Sequence, residues 1–139
     1  MPYLREQELL SPVANYTKRK GYTLQAFELP FYDYRIDLYG FSTKASKTVA
    51  VELKLRKWKR AVEQARIYQL CSDFVYIALP TSAVTQIDEE ALRKSGIGLI
   101  AVCKNGCRTL VEAKRSIEVR EHYRGPYISM LSGGGNGRG

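Results

Sequence analysis

The sequence predicts an α/β domain built on a single mixed sheet flanked by helices, and three observations carry that prediction. Helical and strand periodicities alternate along the chain. Some strand-like segments are apolar throughout, as strands covered on both faces are. The chain of 139 residues is long enough for one compact core, with no room for a separate recognition domain of ordinary size. Apolar residues make up 45% and charged residues 26%, close to the globular average, which excludes wholesale disorder and low-complexity architectures. No internal repeat is visible.

Between residues 4 and 20, Leu9, Leu10, Val13, Ala14 and Thr17 fall at helical spacing, and Gly21 follows a basic Lys18, Arg19, Lys20 turn that suits a helix C-terminus. Residues 22–29, 32–41 and 48–54 are rich in β-branched and aromatic residues, separated by Pro30 and by the polar 42–47 stretch. They read as three consecutive strands, in which Tyr32, Tyr34 and Tyr39 are expected to pack. Residues 59–72 are strong helix formers with Ala61, Val62, Ala65 and Tyr68 on one stripe. A buried strand over 74–79 ends at Pro80, a short helix over 88–95 ends at Gly96, and a further buried strand spans 97–102. Lys104, Asn105 and Gly106 supply hairpin-turn chemistry before a return strand over 107–113. Residues 1–131 are expected to form one domain and the glycine-rich 132–139 a flexible tail.

Lys and Arg number 22 against 14 Asp and Glu, a net charge of +8 with a pI near 9.5. Such an excess on a small domain favours a polyanionic partner, nucleic acid or an anionic membrane surface. No apolar run approaches the ~20 residues of a spanning helix, and Glu6 and Glu8 interrupt the stretch where a signal peptide would be apolar. An intracellular protein with no membrane partner is expected, and three cysteines, an odd number, suggest no disulfide framework. Cys103 and Cys107 have a spacing that invites a zinc reading. A structural zinc site wants four ligands, however, and only Cys71 and His122 remain; a hairpin turn explains the spacing. His122, among Arg120, Glu121 and Arg124, reads as a surface residue.

The chemistry concentrates between residues 35 and 60. Residues two apart on a strand share a face, so Glu52 and Lys54 project together while Val49, Val51 and Leu53 point into the core. A hairpin that sets residue 42 beside 47 sets Asp37 beside Glu52. Two convergent carboxylates suit a hard divalent cation, and a neighbouring lysine can orient water or stabilise charge developing on a phosphate. The alternative for Glu52 and Lys54 is a solvent-facing ion pair on an edge strand. Directly downstream lie Arg56, Lys57, Lys59 and Arg60 around Trp58, a cluster suited to phosphate contact, with Trp58 expected to pack. Lys44 and Lys47 in the hairpin turn would add phosphate contacts at the mouth of the site.

These residues resemble the PD-(D/E)xK nuclease superfamily, the fold of restriction endonucleases and archaeal Holliday junction resolvases. The resemblance covers residues 4–79 and rests on Asp37 as the motif aspartate, Glu52-Leu53-Lys54 as the (D/E)xK, and Gln64 with Tyr68 as the Q-x-x-x-Y pair on the following helix. Ile36 stands where the motif has proline. The resemblance implies an αβββαβ core with metal held by Asp37, Glu52 and the Leu53 carbonyl. It also implies a water positioned by Lys54, Gln64 reaching in from the second helix, and an additional acid for which Glu8 and Glu6 are equal candidates. The implied activity is magnesium-dependent hydrolysis of DNA phosphodiester bonds, with manganese able to substitute. Cleavage would be structure-selective or weakly sequence-specific, of the repair and recombination type, by a homodimer pairing two active sites. RNA would suit the same basic groove, with Arg56, Lys57, Lys59, Arg60 and Tyr68 as contacts. The contrasting expectation is a non-catalytic nucleic-acid-binding subunit of the same fold.

Overall fold

A computed structural model describes residues 5–133 of the chain, so the predicted tail from 134 onward lies outside the described residues. A 3-10 turn (Glu6–Leu9) leads into α1 (Leu10–Arg19), followed by β1 (Leu24–Phe31), β2 (Tyr34–Ser42), β3 (Lys47–Leu53), α2 (Trp58–Tyr68) and β4 (Phe74–Pro80). Then come α3 (Thr81–Val84), α4 (Glu89–Ser95), β5 (Gly98–Cys103), β6 (Gly106–Val111) and α5 (Glu121–Ser132). The six strands form one sheet in chain order. The pairs β1–β2, β2–β3 and β5–β6 are antiparallel, whereas β3–β4 and β4–β5 are parallel, each linked by a helical crossover. No helix among the described residues is long and apolar enough to cross a membrane.

Helices cover both faces. On one, Leu9, Val13 and Ala14 pack against Val49, Val51 and Leu53 of β3, as the alternation along that strand predicts. On the other, Ala61, Ala65 and Tyr68 of α2 pack against Ala50, Ile77 and Leu79. At about 25 cal/mol per Å² of apolar area removed from water, these two layers dominate the stability. β3 is an interior strand buried on both faces, so Glu52 and Lys54 cannot be a solvent-facing pair on a sheet edge.

The structure corrects four sequence expectations. The first helix is divided, with a 3-10 turn before Leu10. Pro30 does not separate β1 from β2: it lies within β1, opposite Arg35, on an edge strand where its missing N–H leaves no interior ladder bond unmade. The turn is instead Tyr32–Asp33, so Tyr32 sits at positive φ and 63% exposed rather than packed in a strand. Finally, α5 is a helix that the sequence does not predict. Ser132, assigned to the tail, closes that helix, and Gly133 caps it in the left-handed region.

Candidate active site

The polar turn after Ser42 fixes the geometry. Ser42 pairs with Lys47, and the register runs unbroken to Leu38 opposite Val51. One step further, Asp37 and Glu52 face each other, where regular pairing stops. The N–H of Leu53 donates instead to Asp37 Oδ2 at 2.8 Å, a carboxylate taking the place of a ladder carbonyl. A strand residue presents its N–H and C=O to the same neighbour, so the Leu53 carbonyl is directed toward the edge that Asp37 occupies. The sheet is irregular on the other side of Asp37 as well. Glu28, opposite it in the β1–β2 register, has φ +52, and Ile36 and Tyr39, three apart, pack into the same face.

Glu52 is 4% exposed. The Tyr68 hydroxyl donates to Glu52 Oε1 at 2.9 Å and stands 2.9 Å from the Arg35 carbonyl, while Lys54 Nζ lies 3.8 Å from Glu52 Oε2. One hydroxyl proton serves one strong acceptor at a time. If Glu52 carries a proton, it donates to Tyr68 and Tyr68 to Arg35, satisfying the whole chain. Burial, with Asp37 beside it, pushes Glu52 up to about 8, against the lowering influence of Tyr68 and Lys54. Asp37 is raised to about 6 by burial, reinforced by Glu6 and Glu28 and opposed by the Leu53 N–H and by Lys54. One lysine does not balance the acids gathered here.

Asp37 and Leu53 line a cavity of about 310 Å³ together with Arg5, Glu6 and Glu28. Of the two candidate acids near the N-terminus, Glu6 is the one on this cavity, whereas Glu8 accepts the Arg5 N–H at 3.2 Å. Glu28 is not legible in the sequence, where Pro30 reads as a strand break; the pairing of Phe31 with Tyr34 puts 28 opposite 37. Gln64 stands one turn before Tyr68 on the same face of α2, and its Oε1 is buried without a hydrogen-bond partner among the described residues.

Arg56, Lys57, Lys59 and Arg60 are exposed where β3 passes into α2, at the same end of the sheet as the acids. Lys57 holds φ +62 and Trp58 packs half-buried against the core. Lys44, Lys47 and Tyr68 stand elsewhere than the sequence places them. Lys44 and Lys47 sit at the opposite end of the hairpin, five residues or about 17 Å from the acid pair, and Lys47 lies over the rings of Tyr22 and Phe74. Tyr68 is fully buried, so it positions Glu52 and cannot touch nucleic acid. Cys71 is buried, Cys103 is exposed at the β5–β6 hairpin, and the exposed His122 stacks on Tyr123.

Among the described residues no three His, Cys, Asp or Glu side chains come together as a metal bound by side chains alone would require. Magnesium needs less, since it is commonly bound through one or two carboxylates and keeps several waters. Asp37, Glu52 and the Leu53 carbonyl offer oxygen donors only, the chemistry such a cation takes.

The chain matches no family model and no curated protein. It is similar in fold to a protein of unknown function from Silicibacter pomeroyi, at 16% identity and a TM-score of 0.67, over 94% of this chain and 86% of that one.

Proposed function

We propose that this chain is a metal-dependent nuclease of the PD-(D/E)xK kind, hydrolysing phosphodiester bonds of DNA. The order α1, β1, β2, β3, α2, β4, with β1 to β3 antiparallel and β4 parallel to β3, supports the αβββαβ core. One observation carries the activity: two carboxylates on interior strands are each held by a dedicated donor, yet burial and their mutual proximity raise both above the ordinary carboxylate range, so that ionising the pair calls for a counter-charge. Keeping such groups buried costs several kcal/mol per ion unless a counter-charge answers them.

Asp37, Glu52 and the Leu53 carbonyl would hold magnesium, or manganese in its place, which supplies Lewis-acid polarisation of the scissile phosphate. The protein does the rest. Tyr68 and the Leu53 N–H fix the two carboxylates so that little reorganisation remains at the moment of reaction. Lys54 delivers a positive charge to the same face, where it orients the attacking water and stabilises charge on the phosphoryl oxygens. Arg56, Lys57, Lys59 and Arg60 hold the flanking phosphates by charge, a contact independent of sequence.

A plasmid-nicking assay with and without magnesium tests the proposal. Wild-type protein is expected to nick only with the metal, and Lys54→Ala to lose at least about a hundredfold in rate while still binding DNA in EDTA. Nicking by Lys54→Ala at the wild-type rate would refute it.

A further inference from the structure

A cavity of about 810 Å³ lies where the C-terminal ends of α2 and α4 meet the segment 114–118, and neither Asp37 nor Glu52 lines it. Arg66, Lys94, Lys114 and Arg115 line it, against one acid, Glu118. Arg115 reaches Asp73 at 3.4 Å, a carboxylate that Arg124 already engages at 3.0 Å. Arg66, Lys94 and Lys114 make no ion pair among the described residues and are exposed.

Basic residues in a last helical turn have an ordinary explanation, since they answer the helix dipole. Its magnitude is too small here. Two helix ends contribute roughly half a negative charge each, and with Glu118 they leave about two of the four cations unanswered. Lys114 and Arg115, moreover, belong to no helix.

On the exposed surface of α2, Lys59 stands at the end nearer the acid pair and Arg66 at the end on the cleft, with Glu63 between them. Nine residues separate Lys57 from Arg66, about 14 Å of helix, which matches about four base pairs at 3.4 Å each.

We propose that this cleft is a second anchoring site for a phosphodiester backbone, holding the nucleic acid beyond the α2 N-terminal contacts and away from the scissile bond. The identity of the ligand rests on the nuclease reading; the site itself rests on the convergence of cations from three separate segments. The class of ligand is a nucleic-acid strand whose phosphates reach both ends of α2.

The test is binding of a 30-base-pair duplex in EDTA across a salt series, comparing wild type with Arg66→Gln/Lys94→Gln/Lys114→Gln. The control is Arg93→Gln, whose guanidinium pairs with Glu89. The triple variant is expected to lower the slope of log affinity against log salt by about 0.9 per lost contact, two to three in all. The control should leave it unchanged. With magnesium, the triple variant should raise KM on that duplex and leave kcat alone.

An unchanged salt slope in the triple variant, or wild-type protein that binds no duplex, overturns the cleft. Competition by micromolar pyrophosphate would make it a small-anion pocket and also overturn it. Cleft-dependent binding without magnesium-dependent cutting would uphold the cleft and reject the nuclease reading. Cutting without cleft-dependent binding would do the reverse.

Discussion

Buried carboxylates stand at both ends of the β2–β3 hairpin, and they are treated in opposite ways. At the turn end, Asp73 accepts the Thr48 N–H at 2.8 Å and the Thr48 hydroxyl at 3.1 Å, and two guanidinium groups neutralise it, Arg124 at 3.0 Å and Arg115 at 3.4 Å. Asp73 thereby ties β4 to the hairpin and, through Arg124, to α5, whose guanidinium also donates to the Ser46 carbonyl. At the other end, Asp37 and Glu52 receive one strong hydrogen bond each and share a single lysine at 3.8 Å from Glu52. A carboxylate buried for the fold has its charge and lone pairs met by the chain itself. A pair left short of positive charge is what the proposed cation would answer.

The comparison yields its largest effect in stability. Asp73→Ala strands Arg124 and the Thr48 donors, and chemical denaturation should show a loss of about 3 to 5 kcal/mol, as breaking a buried ion pair does. Glu52→Gln should move the other way. In EDTA at pH 8 it is expected to match or exceed wild-type stability, because it removes a charge that burial penalises. A Glu52→Gln protein as crippled as Asp73→Ala would erase the distinction between the two ends.

Tyr68→Phe sharpens the contrast at smaller scale. It removes the donor to Glu52 and leaves the ring in place, so magnesium-dependent cleavage should fall by about tenfold to a hundredfold, equivalent to a hydrogen bond to a charged group of about 1.5 to 3 kcal/mol. DNA affinity in EDTA should not change, since Tyr68 is fully buried. A parallel loss of affinity would restore the expectation that Tyr68 touches nucleic acid.

The smallest effect concerns the basic loop. Arg56→Gln, Lys57→Gln and Arg60→Gln together should flatten the salt dependence of duplex binding by about 0.9 per contact. Lys44→Gln, beyond the wrong end of the hairpin, should alter cleavage little. A stronger effect from Lys44 than from the loop would place the substrate at the turn end.

How much of this the sequence discloses depends on whether local chemistry or tertiary contact decides. The pairing of 37 with 52 is legible because the polar 42–47 stretch fixes the turn and strand register is arithmetic from there. That same arithmetic, applied to Lys44 and Lys47, puts them at the far end, and only their charge suggested otherwise. Tyr68 was recognised by its spacing from Gln64, but a motif position does not reveal whether a hydroxyl faces solvent or a buried carboxylate. α5 is illegible because Gly125 and Pro126 break helical patterns. It is held from outside, by Arg124 on Asp73, by the Tyr127 hydroxyl on the Pro30 carbonyl at 2.5 Å, and by the Tyr123 ring against Phe31.

The central claim is that the Asp37 and Glu52 pair is incomplete without a cation, and thermal unfolding of wild type and Glu52→Gln at pH 5.5 and pH 8, each with and without magnesium, tests it most directly. Glu52 ionises near 4.5 when unfolded and at about 8 when folded. Between those values the unfolded chain binds fewer protons, so metal-free stability falls as pH rises and the loss is nearly complete at pH 8. Wild-type protein should therefore lose Tm from pH 5.5 to pH 8 and regain it with magnesium, while Glu52→Gln shows a smaller pH loss and little response to the metal. Equal pH dependence and equal magnesium response in the two proteins would contradict the claim.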